Sequence, residues 1–102
     1  FFCMHPWQRL VLRQNVITKV EGLENLKQLS ELDLYCNKLT DVSGLSTSTS
    51  LTNLDISYNE LDNISAVASL TNLLEIYLAN NRFRAVPPAV ASITNLRTLE
   101  PG

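Results

Sequence analysis

Large apolar residues return along the chain at fixed intervals, with polar residues between them. The stretch LDISYNEL, residues 54–61, alternates apolar and polar positions and then reaches an asparagine. Related stretches, LDLYCNKL and IYLANNRF, stand 22 positions before and after it. Alternation over so short a length is typical of a strand with one buried face. The pattern therefore predicts a series of short strands, one every 22 residues.

The longer pattern L-x-x-L-x-L-x-x-N-x-L fits the chain four times, and this is the consensus of a leucine-rich repeat. Its successive copies contain Trp7, Leu10, Leu12, Asn15 and Ile17; Leu29, Leu32, Leu34, Asn37 and Leu39; Leu51, Leu54, Ile56, Asn59 and Leu61; and Leu73, Ile76, Leu78, Asn81 and Phe83. After Asn81 the spacing becomes 23 residues, and Leu96, Leu99 and Glu100 begin an incomplete fifth copy. We expect one domain over residues 1–102, a piece of a longer solenoid.

The predicted fold is α/β: a leucine-rich-repeat solenoid with short parallel strands on its concave face and 3₁₀ or helical turns on its convex face. Apolar residues recur every three positions between the strands, as in Ile64, Val67, Leu70 and Leu73, and this spacing suits 3₁₀ turns. Ser48 occupies the position that is equivalent to Leu26 and Leu70, and it lies within a Ser/Thr run over residues 46–50. We expect this run to be a solvated part of the convex surface.

One asparagine follows each strand, where the chain turns away and backbone groups would be buried without partners. A carboxamide carries both donors and acceptors, so it can bond to those groups in its own turn and in the neighbouring one. We predict a structural ladder formed by Asn15, Asn37, Asn59 and Asn81.

Composition narrows the classes of function. The chain is 45% hydrophobic and 18% charged, with a formal net charge of −2, as in one soluble globular domain. Its basic residues are scattered, so we expect no nucleic-acid partner, and no segment predicts a membrane span or a signal peptide. Cys3 and Cys36 lack a disulfide-dense spacing, which favours an intracellular location, in cytoplasm and/or nucleus. Cys36 is expected to be a buried or half-buried filler.

Residues suited to catalysis do not form a recognisable motif. The single histidine, His5, has no serine or cysteine nucleophile set beside it by a known spacing. Glycines 22, 44 and 102 make no phosphate-binding loop, and no Cys or His pair has metal-ligand spacing. We therefore expect no enzyme activity, no metal and no cofactor.

The predicted concave face carries three columns of side chains, one residue per strand in each. The central column contains Val11, Asp33, Asp55, Tyr77 and Glu100; the first flanking column contains Arg9, Glu31, Asn53, Glu75 and Thr98; the second flanking column contains Arg13, Tyr35, Ser57 and Ala79. Aromatic residues are enriched at the centres of protein interfaces. Asp33, Asp55, Tyr77, Glu100, Glu31, Tyr35 and Glu75 are the predicted partner-binding residues. The alternative is that these polar residues serve only solubility.

The segments LRQNVITKVEGLENLKQLSELDLYCNKL and LDISYNELDNISAVASL resemble the leucine-rich-repeat regulatory subunit of protein phosphatase 1, which belongs to the 22-residue repeat class. The likeness covers roughly residues 10–78 and includes Arg13-Gln14-Asn15 and Asp33-Leu34-Tyr35. In that family the concave face binds the phosphatase catalytic subunit. The resemblance implies the same partner here, with Asp55, Tyr77 and Glu100 at the family's acid, aromatic and acid positions.

Two other functions fit the same pattern. One is a generic leucine-rich-repeat scaffold or adhesion protein, and the other is the recognition arm of a larger enzyme. We also expect possible self-association through uncapped ends, because Phe1, Phe2 and Trp7 lie at one end and an unfinished repeat at the other.

Overall fold

The sheet contains five parallel strands, which lie side by side in the order of the chain. The computed structural model describes residues 9–83 and the backbone of residues 98–101. Within these residues the strands are β1 (Arg9–Val11), β2 (Glu31–Asp33), β3 (Asn53–Asp55), β4 (Glu75–Leu78) and β5 (Thr98–Pro101). Each connection returns the chain to the start of the next strand, one position further along the sheet. The predicted leucine-rich-repeat solenoid is confirmed.

The 22-residue period sets the register of the strands. Leu10 pairs with Leu32, Leu32 with Leu54, and Leu54 with Ile76. Ile76 then pairs with Leu99, so the additional residue of the 23-residue step lies outside the paired strands. Equivalent residues of successive repeats are therefore direct neighbours in the sheet.

Within residues 9–83, one apolar core lies between the sheet and the opposite wall of the solenoid. The inward residues of β2, β3 and β4 are at most 2% exposed, and the apolar residues of the connecting turns pack against them. Complete burial of one such side chain stabilises the fold by roughly 1.5–3 kcal/mol. The strands are too short to be stable alone, so the stacking of repeats holds them.

The wall opposite the sheet is built from tight turns, among them the 3₁₀ helices η1 (Ser43–Thr47) and η2 (Ser65–Ser69). The apolar residues of the η2 segment recur every three positions. The Val67 amide donates to the Ile64 carbonyl, and the Leu70 amide donates to the Val67 carbonyl, at 2.9 Å each. In each group of three residues, one apolar side chain is thus buried and its backbone amide has a hydrogen-bond acceptor. The predicted 3₁₀ turns are confirmed.

Ser48 corrects the prediction that residues 46–50 are a solvated surface. Ser46, Thr47 and Thr49 are exposed, but Ser48 is only 4% exposed because it occupies an inward position of the three-residue pattern. Its hydroxyl oxygen has no hydrogen-bond partner. A serine here replaces apolar contacts with a buried polar group, which destabilises the turn.

The asparagine side chains form the expected series of hydrogen bonds, and those of Asn37, Asn59 and Asn81 each connect their own repeat to the preceding one. The Asn59 carboxamide oxygen accepts from the Leu39 amide at 3.0 Å. Its nitrogen donates to the carbonyls of Leu34, Ile56 and Ser57 at 3.0–3.1 Å. Asn37 and Asn81 repeat these bonds with equivalent residues. Asn15, at the exposed end, donates to carbonyls of its own turn.

The residue before each ladder asparagine has a left-handed backbone. Gln14, Cys36, Tyr58 and Asn80 all have φ between 58° and 61°. The amides of Gln14, Cys36 and Tyr58 continue the backbone hydrogen bonds between repeats beyond the strands; the Tyr58 amide, for example, donates to the Ala79 carbonyl at 2.7 Å. This conformation turns their side chains outward, and Cys36 is exposed. The expectation of a buried or half-buried Cys36 is therefore wrong.

Several predictions lie outside the described residues. They concern the terminal residues Phe1, Phe2 and Trp7, on which the expected self-association depends, and the side chain of Glu100. Each of these stays a prediction.

Candidate protein-binding surface

The central column exists as predicted. The strand register sets Val11 beside Asp33, Asp33 beside Asp55, and Asp55 beside Tyr77, and the backbone of Glu100 follows on β5. Neighbouring strands of a sheet lie about 4.8 Å apart, so a single partner could contact several of these residues. Asp33, Asp55 and Tyr77 are half-buried.

Both aspartates of the central column hold the turn that follows their own strand. The Asp33 carboxylate accepts from the Tyr35 amide, and the Asp55 carboxylate accepts from the Ser57 amide, at 3.0 Å in each case. One oxygen of each carboxylate is thus fixed by its own backbone. This bond orients the carboxylate without help from a partner, and so the acids have a structural role that sequence reasoning missed.

The first flanking column also forms internal contacts. The Arg9 guanidinium lies 3.3 Å from the Glu31 carboxylate, with both side chains substantially exposed. Further along the sheet, the Asn53 amide group donates to the Glu75 carboxylate. The column therefore contains an ion pair between β1 and β2, and a hydrogen bond from an uncharged amide to a carboxylate between β3 and β4.

The second flanking column forms an aromatic cluster at the end of the strands. The Arg13 guanidinium lies 3.0 Å from the Asp33 carboxylate and 5.1 Å from the centre of the Tyr35 ring. Tyr35 in turn packs against Tyr58, with 5.1 Å between ring centres and 66° between ring planes. Ser57, predicted on this surface, is only 6% exposed. Its small side chain leaves the surface to Tyr35 and Tyr58.

Tyr58 is a surface residue that the sequence prediction did not include. It is 47% exposed although its ring packs on Tyr35. Its position directly before Asn59 was the available signal, because the equivalent residue in each repeat has the same left-handed backbone. Tyr35 and Tyr77, both among the predicted partner-binding residues, are half-buried.

Negative charge is distributed unevenly over this face. Arg9 and Arg13 pair with acids at β2. No lysine or arginine within residues 9–83 lies within ion-pairing distance of Asp55 or Glu75. A shallow depression runs between the central and first flanking columns, and Asp55 and Tyr77 contribute to its lining. The face thus offers an acidic and aromatic region towards β4.

Other chemistry is sparse in the described part of the chain. No group of three or more His, Cys, Asp or Glu side chains there could hold a metal ion. Asp41 lies away from the strands, where it forms an isolated bridge with Lys19. The Ser43 amide donates to its carboxylate at 2.8 Å, and this bond lowers the pKa of Asp41. Within residues 9–83 and 98–101, no helix is long and apolar enough to cross a bilayer.

Comparison with protein families agrees with the repeat geometry. The family model for leucine-rich repeats in two copies matches residues 8–47 and again residues 49–88. The chain belongs to the leucine-rich-repeat family. A comparison with curated protein sequences gave no match.

Solved structures of leucine-rich-repeat proteins have the same fold. An internalin, InlF, from Listeria monocytogenes is 35% identical over 94% of this chain, with a TM-score of 0.88. The leucine-rich-repeat ectodomain of the receptor kinase SOBIR1 from Arabidopsis thaliana is 31% identical over 90%, with a TM-score of 0.70. Internalin C2 from Listeria monocytogenes is 24% identical over 93%, with a TM-score of 0.67. The chain covers 28%, 54% and 51% of these three structures respectively.

Proposed function

We propose that this leucine-rich-repeat chain is a non-enzymatic protein-interaction module. It binds its partner through the sheet face, which is the side of the sheet that carries the central and flanking columns. The observation that carries this proposal is the ordered central column, in which Asp33, Asp55 and Tyr77 stand side by side on a rigid sheet. Preorganised side chains lose little conformational freedom on binding, which favours affinity. An intracellular location, in cytoplasm and/or nucleus, is part of the proposal.

The partner that we propose is the catalytic subunit of protein phosphatase 1, for which this chain would act as a regulatory or inhibitory subunit. Support comes from the sequence resemblance over roughly residues 10–78. It also comes from the strand register, because Asp55, Tyr77 and Glu100 occupy consecutive positions of one column. Phosphatase binding would place the partner over the β3 to β5 region.

The charge distribution supports binding in this same region. Asp55 has one carboxylate oxygen fixed by the Ser57 amide and no cationic neighbour among residues 9–83. A cationic side chain from a partner would gain an oriented carboxylate there, next to the half-buried ring of Tyr77. Opposite charge on the partner would steer its approach, and the ring would supply contact area.

A second candidate is a scaffold or adhesion protein, and one observation favours it. The chain is 35% identical to internalin InlF over 94% of its length. The third candidate, a recognition arm of a larger enzyme, is favoured by the likeness to the ectodomain of a receptor kinase. In both cases the sheet face would still bind protein, but the phosphatase would not be the partner.

The proposal is tested by titrating purified phosphatase 1 catalytic subunit into the chain in a calorimeter. Tyr77→Ala should weaken binding by about 2 kcal/mol, roughly thirtyfold, because truncation removes a ring at the centre of the face. Thr49→Ala, an exposed position on the opposite wall, is the matched control and should leave affinity unchanged. Urea unfolding of each variant separates lost contacts from lost structure.

Two results would count against different parts of the proposal. If the wild-type chain does not bind the phosphatase, the assigned partner is wrong. If wild type and Tyr77→Ala bind equally well, the sheet face is not the binding surface.

A further inference from the structure

One cationic side chain of the molecule already occupies a carboxylate and an aromatic ring of the sheet face. The Arg13 guanidinium lies 3.0 Å from the Asp33 carboxylate and 5.1 Å from the Tyr35 ring centre. This combines an ion pair with a cation–π contact. The Asp33 carboxylate and the Tyr35 ring thus already bind one guanidinium group, that of Arg13.

Asp33 and Tyr35 are also held in place by contacts that do not involve Arg13. The Tyr35 amide donates to the Asp33 carboxylate at 3.0 Å, and this bond fixes one oxygen while the other faces Arg13. Tyr58 packs edge-on against Tyr35 from the next repeat and fixes the ring. Asp33 is 20% exposed in its side chain, so it is partly shielded from solvent. Removal of Arg13 should therefore leave a preformed guanidinium subsite.

Arg13 itself is loosely held. Its side chain is 51% exposed, and among residues 9–83 it contacts the Asp33 carboxylate and the Tyr35 ring. It lies two residues after the end of β1, and the residues that follow it, Gln14, Asn15 and Val16, are all exposed. Exchange of its guanidinium for another would disturb no core contact.

We propose that Arg13 is a tethered, displaceable ligand that covers a guanidinium subsite formed by Asp33 and Tyr35, and that an arginine side chain of the protein partner replaces it. The partner's arginine would then engage the same carboxylate and ring, while Arg13 moves into solvent. Arg13 thus competes with the partner, and cationic groups with a lower affinity for the subsite do not displace it. The inference rests on the proposed use of the sheet face for protein binding.

The expected effect follows from competition within the molecule. An exposed ion pair combined with an exposed cation–π contact favours the covered state by roughly three- to thirtyfold. Apparent affinity falls in proportion to the fraction of molecules in which the subsite is open. An external arginine should therefore bind about tenfold more tightly when Arg13 is absent.

The test is a titration of the chain with the peptide acetyl-Gly-Arg-Gly-amide, followed by NMR of the Tyr35 and Tyr58 ring protons. Arg13→Ala and Arg13→Gln should both show ring shifts that saturate at about tenfold lower peptide concentration than in wild type. The peptide with citrulline in place of arginine keeps the shape but lacks the charge, and it should give no saturable shift. Arg82→Ala is the matched control, because it removes an exposed arginine that pairs with Glu60 and not with Asp33.

The inference is overturned if the arginine peptide binds wild type and the Arg13 variants equally, or shifts neither ring in any of them. It is also overturned if the citrulline peptide behaves like the arginine peptide. Because the titration contains no phosphatase, its outcome is separate from that of the proposed partner. Loss of phosphatase binding with intact peptide binding would remove the partner and keep the subsite.

Discussion

The asparagine ladder gives the sharpest prediction of stability, at Asn59. Replacement by Leu keeps nearly the same shape and removes every hydrogen bond of the carboxamide. The oxygen of Asn59 accepts from the Leu39 amide, and its nitrogen donates to three carbonyls. Since Asn59 is 7% exposed and Leu39 is fully buried, water cannot replace these bonds without opening the turn.

The size of the loss follows from which groups keep a partner. Each of the three carbonyls retains another donor: Asn37 for Leu34, Asn81 for Ile56, and the Cys36 amide for Ser57. The Leu39 amide retains none of its own, and a buried donor without a partner costs about 1–3 kcal/mol. Adding the weaker loss at the carbonyls, we expect Asn59→Leu to destabilise the fold by about 3 kcal/mol.

Urea unfolding measures this loss. With a slope of about 1.5 kcal/mol per molar urea for a chain of this size, the midpoint should fall by about 2 M. Asn15→Leu is the matched control, because the Asn15 side chain is exposed and donates only within its own turn, so water can replace its bonds and the loss should be less than about 1 kcal/mol. An Asn59→Leu midpoint equal to that of wild type, or equal losses at both positions, would refute the ladder as the main polar support of the turns.

Three further predictions concern residues outside the strands. Ser48→Ala should raise stability by up to about 1 kcal/mol in the same urea assay, because it removes a buried hydroxyl that has no partner; a loss would contradict this. Gly44→Ala should cost about 2 kcal/mol or more, because an added Cβ would lie 2.1 Å from the Val20 carbonyl oxygen; unchanged stability would show that the backbone shifts freely. The Asp41 carboxyl should titrate by NMR below its ordinary pKa of 3.8, since the Ser43 amide favours the charged form. Its contribution to stability is therefore present above the ordinary pKa and lost as pH falls through the lowered one, and a midpoint at or above 3.8 would contradict this.

Much of the fold could be predicted from the sequence because one period governs it. Spacing of 22 residues places Leu32, Leu54 and Ile76 at equivalent points of successive turns, and a parallel sheet then fixes their register. The ladder could be predicted for the same reason, since Asn37 and Asn59 recur where each strand ends. These features depend on residue type and spacing, both of which are visible in the sequence.

Exposure at single positions was harder to predict. Cys36 and Tyr58 point outward because of a left-handed backbone, and neither residue type favours that conformation. Ser48 is buried because the surrounding turn keeps the three-residue pattern in spite of its hydroxyl. In each case the repeat imposes the conformation and overrides the preference of the residue.

The candidate site was predicted as columns, but its internal contacts were not. The composition of the columns follows from strand alternation, so Asp33 and Asp55 could be placed on one face. Their bonds to the amides of Tyr35 and Ser57, and the position of Arg13 over Tyr35, depend on side-chain torsions that spacing does not determine. These contacts decide which acids are available to a partner.

The central claim is that the sheet face binds the partner, and NMR mapping of the complex tests it most directly. An isotope-labelled chain would be titrated with the phosphatase 1 catalytic subunit, and amide signals followed residue by residue. We predict that signals of residues 53–57 and 75–79 change first and most, while those of η1 and η2 on the opposite wall stay in place. Changes concentrated on η1 and η2 with an undisturbed sheet, or no changes at saturating phosphatase, would contradict the account.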